Sequence, residues 1–262
     1  MHKPFKFLTT AFAITLSACS SIPSQQAAPV DENRQILVVM TNHSEYPTRE
    51  DTTGLWLTEL THFTDVVENA GFNTVFASPD GGSIPLDERS MGWLYVDDRA
   101  EELLANPMYS EKLENTFAMS DVNPEDYAAI YFTGGHGVMW DFRNDTDIKE
   151  VSEAIYQQGG VISAVCHGVA ALVDLEDEQG NPPIQGRKVT GFSNSEEFFS
   201  GLKNEVPFFL EDDLISKGAD YKKAFIPFRP YAISDGRLIT GQNPASAEKV
   251  AKQLVDKLNS IK

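Results

Sequence analysis

The stretch that most constrains the fold is residues 159–172, with the sequence Gly-Gly-Val-Ile-Ser-Ala-Val-Cys-His-Gly-Val-Ala-Ala-Leu. Its apolar, β-branched run predicts a short buried strand, and residues 169–172 predict the first turn of a helix. A strand that turns sharply into a helix holds the turn residue at the carboxyl edge of the sheet, beside the first helical N–H groups. Cys166 occupies this turn and His167 follows it. We therefore predict a reactive thiol, with its pKa lowered by the helix N-terminus, rather than an inert buried cysteine.

Other apolar runs of strand length lie at residues 35–40, 73–77 and 127–132. Helical patterns at residues 54–71 and 147–157 separate them, which is the arrangement of βαβ units in a parallel sheet. The chain has 262 residues, enough for one large α/β domain. We predict a doubly wound, mostly parallel sheet flanked by helices.

The rest of the chain is harder to assign. Residues 85–123 show only scattered helical signals and are predicted to be an irregular excursion. The later patterns predict, in chain order, a short strand at 188–192, a helix at 206–214, a hairpin at 231–241 and an amphipathic helix at 244–258.

Residues 1–18 resemble a lipoprotein signal peptide, in which a basic region precedes an apolar run too short to span a bilayer. The sequence Leu-Ser-Ala-Cys at its end predicts cleavage before Cys19 and lipidation of that residue, with an ordinary secretory signal as the alternative. Residues 19–34 then form a flexible tether, and residues 35–262 form the folded domain. These features predict a lipid-anchored protein of the bacterial cell envelope, in the outer membrane facing the periplasm.

The net charge limits the kinds of partner that the chain can bind, and the cysteine count bears on the role of Cys166. The formal net charge of −18 argues against electrostatic binding of nucleic acid or anionic lipid, so membrane contact is expected only through the anchor. The chain has two cysteines. If Cys19 carries lipid, Cys166 has no intramolecular disulfide partner, which supports a chemical role for its thiol.

The carboxyl ends of the strands are where ligands bind in a doubly wound sheet. Gly134 and Gly135 follow the strand at 127–132 and allow backbone N–H groups to approach a substrate oxygen closely. The alternative is that the Gly-Gly turn is only a tight exit from the strand.

Three further side chains are candidates whose role spacing alone leaves open. Glu59 shares a helix face with aromatic residues, so it is either an exposed surface carboxylate or a buried one with a raised pKa. Glu197 follows a short strand and can orient His167, although Glu196 is a competitor for that role. His62 is pocket lining at most.

Together these pieces resemble the ThiJ/PfpI superfamily, which has the flavodoxin-like, class I glutamine amidotransferase-like fold. Within it, the chain is most similar to the 31-kDa heat-shock chaperones and glutathione-independent glyoxalase III enzymes. The matching stretches cover nearly all of the chain from Gln35 onward and comprise residues 54–60, 77–82, 133–142, 165–168, 189–192 with Glu196 and Glu197, and 238–246.

The resemblance implies a role for each matching residue. Cys166 corresponds to the nucleophile, Glu59 to the carboxylate that moves protons beside it, and His167 to the triad histidine. Glu197 falls at the acidic third position, with Glu196 one residue away. The backbone N–H groups of Gly135 and His167 are expected to bind the oxyanion, and the substrate-site candidates from residues 133–142 are Gly134, His136 and Trp140.

The function implied is a cofactor-independent glyoxalase that converts methylglyoxal, a small 2-oxoaldehyde, to lactate through a hemithioacetal on Cys166. Glu59 or His167 serves as the proton-transfer group. The alternatives are a protein deglycase or amidase/peptidase using the same cysteine, a redox sensor, and a stress-related holdase chaperone. No cofactor and no metal are predicted, and the family resemblance implies a homodimer.

Overall fold

Four buried strands form the centre of the sheet and run parallel to one another. They are β1 (Gln35–Val39), β2 (Asn73–Ser78), β5 (Ala129–Phe132) and β6 (Val161–Val165). In the computed structural model, which describes residues 35–261, Leu37 of β1 lies opposite Val75 on one side and Ile130 on the other. The near-continuous apolar sequence of these strands is typical of a sheet covered on both faces.

Four further strands belong to the same sheet: β3 (Asp80–Gly82), β4 (Thr116–Ala118), β9 (Ala232–Asp235) and β10 (Leu238–Gly241). The sheet thus has eight strands, in the order β3-β4-β2-β1-β5-β6-β10-β9. Its outer strands β3 and β9 pair antiparallel with their neighbours, and the other pairings are parallel. The predicted α/β fold with a mostly parallel sheet is therefore confirmed. Two short strands, β7 (Lys188–Val189) and β8 (Asp220–Tyr221), pair in a separate small sheet.

Helices cover both faces because of the handedness of the crossovers. The connection from β1 to β2 and the connection from β5 to β6 run in opposite directions along the sheet, so right-handed crossovers place their helices on opposite faces. The helices are α1 (Leu57–Asn69), α2 (Asp98–Leu104), α3 (Pro107–Glu114), α4 (Val138–Asp141), α5 (Thr146–Gln157), α6 (Asn194–Ser200), α7 (Leu210–Ser216) and α8 (Ala247–Ser260). Within residues 35–261, no helix is both long enough and apolar enough to cross a membrane.

The strand order also locates the ligand site. The chain runs outward from β1 in one direction to β2 and in the other to β5, so the order reverses between β1 and β5. Ligands of doubly wound sheets bind beyond the carboxyl ends of the strands at such a reversal. The loops after β1, β5 and β6 all leave the sheet at this edge.

Several predicted boundaries were wrong. Helix α1 begins at Leu57 rather than at Gly54, because Leu55 pairs with the 85–86 segment and the Trp56 N–H donates to the Gly134 carbonyl. Glu59 therefore lies in the first turn of α1 and not in its middle. Helix α7 likewise begins four residues after the position that the sequence indicated.

The 85–123 segment is more regular than predicted. It contains α2, α3 and β4 as well as short 3-10 turns. Asp97 and Asn106 cap the two helices through their side chains, and proline at the first position of α3 favours a helix start. These two short helices are therefore marked by local caps, and they lack the long apolar periodicity by which a helix is usually predicted.

The predicted signal peptide at 1–18, the tether at 19–34 and the lipidation of Cys19 lie outside the described residues. The folded domain was predicted to begin at Gln35, and this residue is also the first residue of β1.

Phe63 of α1 ties this helix to the sheet beneath the site. Its ring stacks on that of Tyr131 in β5, with ring centroids 3.5 Å apart and planes 2° from parallel. Both side chains are fully buried. We expect Phe63→Ala to lower the free energy of unfolding by about 3–5 kcal/mol, measured by urea denaturation. Phe225→Ala removes a fully exposed ring and is expected to change that free energy by less than about 0.5 kcal/mol. Equal changes in the two variants would show that the stacking of Phe63 on Tyr131 does not stabilise the fold.

Candidate active site

Cys166 lies at the turn where β6 ends, in a strained backbone conformation. Its φ is 56°, in the left-handed region that non-glycine residues rarely adopt. The side chain is buried, 3% exposed, at the base of a cavity. The helical turn predicted at 169–172 is part of a 3-10 helix that spans Cys166–Leu172. Strain of this kind, held in place by a buried strand, is a common feature of active-site nucleophiles.

The loop after β5 packs against this turn so closely that only glycine fits. A Cβ at Gly134 would lie 2.5 Å from Glu59 Oε2 and 2.8 Å from Cys166 Cβ. A Cβ at Gly135, where φ is 98°, would lie 2.0 Å from the carbonyl oxygen of Gly54. The close approach predicted for the Gly-Gly turn is therefore present.

The two glycine N–H groups have different surroundings. Gly134 N–H donates to Glu59 Oε2 at 2.6 Å, so it is not free to bind a substrate oxygen as the sequence analysis expected. Gly135 N–H has no hydrogen-bond partner within residues 35–261, and Gly135 lines the cavity. Gly135 thus keeps a donor for an oxyanion.

Glu59 is fully buried beside the thiol, and the two groups interact. Burial raises the pKa of Glu59 to about 8, so at neutral pH it holds a proton. Its Oε1 atom is buried with no hydrogen-bond partner in the described part of the chain. A protonated Oε1 supplies a hydrogen that the neighbouring sulfur can accept.

The pKa of the Cys166 thiol contradicts the sequence prediction. Burial raises it well above its ordinary value, and the Glu59 carboxylate raises it further. The opposing effect of the first helical N–H group, that of His167, is smaller. The contribution of Glu59 exists only while Glu59 is ionised, so the proton on Glu59 removes the repulsion that a thiolate would otherwise meet.

His167 lies between the thiol and Glu197. Its Nδ1 is 3.4 Å from Cys166 Sγ, and its Nε2 is 2.7 Å from Glu197 Oε2. An ionised carboxylate only accepts hydrogen bonds, so Nε2 carries the hydrogen and Nδ1 is left free to take a proton from the thiol. Of the two competing glutamates, Glu197 is the one placed to orient His167.

Glu196 has a different set of partners. Its Oε2 accepts from the N–H and hydroxyl of Ser193, which forms the cap of α6. Its Oε1 accepts from Asn243 Nδ2 at 2.8 Å and from Phe228 N–H at 2.7 Å. Glu196 therefore braces the wall of the cavity and does not contact His167.

A second histidine shares the carboxylate of Glu197. His136 Nε2 donates to Glu197 Oε1 at 3.0 Å, while Arg89 Nη2 donates to His136 Nδ1 at 3.0 Å. A guanidinium has only donors, so it fixes His136 in the tautomer that donates to Glu197. Burial lowers the pKa of His136 to about 4, and the neighbouring His167 and Arg89 act in the same direction. His136 is thus a neutral donor at physiological pH.

The charge of Glu197 is stabilised by these two rings. Burial by itself raises the pKa of a carboxyl group, but His167 and His136 outweigh it and hold the pKa of Glu197 well below its usual range. The carboxylate stays ionised throughout the physiological pH range.

Arg89 was missed by the sequence analysis. It lies in the 85–123 segment, donates to both carboxylate oxygens of buried Asp87, and lines the cavity. No spacing rule connects it with His136, which is 47 residues later in the chain. Tertiary contacts bring this segment to the site, among them the bridge between Leu55 and Leu86 and the hydrogen bond from the Asp87 N–H to the Leu55 carbonyl.

The same network forms a group of possible metal ligands, which the sequence analysis did not find. Ligand atoms of His136, His167 and Glu197 lie within 4.8 Å of one another, and all three residues are buried. Each histidine Nε2 already donates to the carboxylate between them. These hydrogen bonds account for the close grouping.

Above Cys166 lies a cavity of about 560 Å³, open at one side. His62 and His136 contribute to its lining, as predicted for them. Trp140 does not: its ring stacks on His43 at 4.8 Å, outside the cavity. The substrate contact expected for Trp140 is therefore wrong, because α4 turns this side chain away from the thiol.

The shared carboxylate suggests a test on His136. Replacement by leucine leaves a charged, buried oxygen of Glu197 without its histidine donor, so we expect His136→Leu to lower the free energy of unfolding by about 1–3 kcal/mol at pH 7. His136→Gln retains an N–H that can reach Glu197, so it is expected to lower the free energy of unfolding clearly less than His136→Leu does. Urea denaturation of both variants measures the difference, and equal losses would show that Glu197 does not need this donor.

Known proteins with similar sequences bear directly on this site. Glyoxalase 3 of Candida albicans is 30% identical over 229 residues, covering 84% of this chain and 97% of the relative. The glutathione-independent glyoxalase HSP31 of Saccharomyces cerevisiae is 31% identical over 235 residues, covering 87% and 99%. The predicted bacterial, lipid-anchored localisation is wrong by this comparison, because these relatives are fungal glyoxalases and not bacterial lipoproteins.

Solved structures and a family model agree with these relatives. The Rapid Encystment Protein 24 kDa of Francisella tularensis is 41% identical, with a TM-score of 0.82 over 86% of this chain and 99% of that chain. Glyoxalase III of Candida albicans is 29% identical, with a TM-score of 0.79 over 85% and 96%. The model of the DJ-1/PfpI family matches residues 52–257, which include Cys166, Glu59 and Glu197. The chain therefore belongs to the DJ-1/PfpI family.

Proposed function

We propose that this protein is a glutathione-independent glyoxalase that converts methylglyoxal to lactate with Cys166 as nucleophile. The observation that carries the proposal is the buried thiol between a protonated Glu59 and the His167–Glu197 pair, at the base of an open cavity. The relatives that match most of the chain bear this activity in their names, which supports the same assignment.

In the first step, His167 Nδ1 takes the proton of the thiol and the sulfur attacks the aldehyde carbon. The carbonyl π-bond opens as the C–S bond forms, and the resulting oxyanion receives the proton back from His167. The backbone N–H groups of Gly135 and His167 stabilise the oxyanion. The product of this step is a neutral hemithioacetal.

The second step moves hydrogen between the two carbons of the substrate. His167 removes the proton from the former aldehyde carbon while Glu59 gives its proton to the neighbouring ketone oxygen, which yields an enediol. His167 then protonates the second carbon, and Glu59 recovers a proton from the first hydroxyl. One carbon is oxidised and the other reduced, so no external redox partner is needed.

The third step releases the product. The enzyme now holds a thioester of the 2-hydroxy acid, which water attacks with His167 as base. The thiolate leaves and regains its proton. The sum is one 2-oxoaldehyde plus one water giving one 2-hydroxy acid, so the protein returns to its starting state.

A second candidate function has one observation in its favour. A stress holdase requires an exposed apolar surface, and the 85–123 segment presents Trp93, Leu94 and Met108, each more than two-thirds exposed. Suppression of client aggregation that persists in Cys166→Ala would assign this surface a role independent of the thiol. The predicted homodimer stays a prediction, for which sedimentation analysis of the full chain is the test.

Turnover of methylglyoxal tests the proposed activity directly. The purified full chain, with its thiol reduced, is expected to convert methylglyoxal to lactate without glutathione. Cys166→Ala should lose the activity, and Glu59→Gln should lower kcat by about 10²- to 10⁴-fold because it cannot act as an acid or base. Glu111→Gln, an exposed site on α3, is the matched control and should retain full activity. Absence of turnover by a folded, reduced protein would overturn the proposal.

The buried carboxyl group of Glu59 should make the stability of the fold depend on pH. Burial raises the pKa of Glu59 from its ordinary value of 4.5 to about 8, so its protonated form favours folding. That contribution is complete below about pH 4.5 and is lost as the pH rises through about 8. Glu59→Gln removes this dependence. Between pH 5 and pH 9 the free energy of unfolding of the original protein should fall by roughly 4 kcal/mol more than that of Glu59→Gln.

Urea denaturation in reducing buffer at several pH values measures this difference. Because glutamine cannot ionise, any constant offset between the two proteins reflects packing and does not matter. Parallel pH profiles for the two proteins would show that Glu59 is ionised across the whole range, and the proton-donor role would then fail.

A further inference from the structure

The cavity above Cys166 is much larger than methylglyoxal requires. Methylglyoxal is a three-carbon molecule, whereas a volume of about 560 Å³ falls within the range of roughly 300–1,000 Å³ that is typical of pockets for drug-sized ligands. The reacting carbonyl groups occupy only the base of this space. The walls above them must therefore face either solvent or a larger substituent.

Aromatic rings form a row that leads from the catalytic histidine toward the cavity mouth. Phe192 lies 4.3 Å from the His167 ring, and Phe228 lies 6.2 Å from Phe192, measured between ring centroids. Tyr95 and Phe199 line the same cavity and are more than half exposed. Contiguous exposed apolar side chains around a groove are typical of a ligand-binding surface.

The backbone of Phe228 is strained and is held in place by a buried hydrogen-bond network. Its φ is 61°, a left-handed conformation that is a genuine outlier for a bulky residue. The buried Glu196 carboxylate fixes it by accepting from the Phe228 N–H, and Asn243 binds both that carboxylate and the carbonyl of Arg229. Strained residues over-determined by a buried network are characteristic of ligand clamps.

The charge of the lining limits the substituent further. Among the described residues that line the cavity there is no aspartate, glutamate or lysine, and the arginine is Arg89. The guanidinium of Arg89 is already bound to Asp87, Tyr46 and His136. The wall therefore has no unpaired charge that would bind a charged substituent. It does have a large apolar area against which a neutral substituent can pack.

We propose that, on the basis of the glyoxalase function proposed above, the preferred substrates are 2-oxoaldehydes with a bulky, uncharged aromatic substituent. The aldehyde carbon binds Cys166, and the aryl group packs along Phe192 and Phe228. With phenylglyoxal as the probe, the balanced reaction is phenylglyoxal plus water giving mandelate. The bonds that form and break on the enzyme are those of the methylglyoxal reaction.

The experiment compares kcat/KM for phenylglyoxal and methylglyoxal, following mandelate and lactate by chromatography. For the original protein, the ratio of phenylglyoxal to methylglyoxal is expected to be on the order of tenfold or more, because the buried ring adds apolar contact. Phe228→Gly relieves the strained φ and removes the ring, so it should lower this ratio by on the order of tenfold. Asparagine also tolerates a positive φ, so Phe228→Asn should lower this ratio as well.

Phe225→Gly is the matched control, because its ring is fully exposed and does not line the cavity. It should leave the ratio unchanged. A ratio of one or less in the original protein would overturn the inference, as would a high ratio that both Phe228 variants retain in the folded state. Turnover of neither aldehyde by the folded, reduced protein would instead defeat the glyoxalase proposal itself, so the two failures are distinguishable.

Discussion

The site depends on the burial of one carboxyl group. Glu59 is removed from water, and its hydrogen bonds with the Gly134 N–H and the Cys166 thiol do not outweigh the effect of burial, so the ionised form is costly and the proton stays on. This arrangement requires the loop after β5 to approach α1 without a Cβ at Gly134, and it requires α1 to begin at Leu57. The start of the helix, the glycine pair and the elbow at Cys166 are therefore parts of one constraint. A proton donor next to a thiol is its chemical result.

The opposite side of the thiol has the complementary character. There a carboxylate is kept ionised because two histidine rings donate to its two oxygens. Since Glu197 can only accept, both rings have their hydrogens directed toward it, and His167 presents a bare nitrogen to the sulfur. Cys166 thus lies between a neutral acid and a base of defined tautomer. That asymmetry gives each proton in the proposed reaction a donor and an acceptor.

The sequence predicted the parts of this site that local patterns encode. The apolar runs at β1, β5 and β6 indicate buried strands, and the strand–turn pattern at Cys166 indicates an elbow, because both depend on neighbouring residues. Arg89 was missed because its partner His136 is 47 residues away and joined to it only by tertiary packing. Trp140 was misplaced for the same reason, since sequence position near the glycine loop does not determine the direction of its ring. The predicted direction of the Cys166 pKa shift was wrong, because the effect of burial outweighs that of the helix N-terminus. No short motif reveals burial.

Helix α6 shows how two adjacent glutamates divide the work of the site. Successive residues of a helix point about 100° apart, so Glu197 reaches the histidines while Glu196 turns toward Ser193 and Phe228. Glu197 orients His167, the base of the proposed reaction, and Glu196 supports the wall of the cavity. A rotation or shift of α6 would therefore alter the orientation of His167 and the position of Phe228 together. In this protein the proposed catalytic base and the proposed substrate-binding wall are coupled through the first turn of a seven-residue helix.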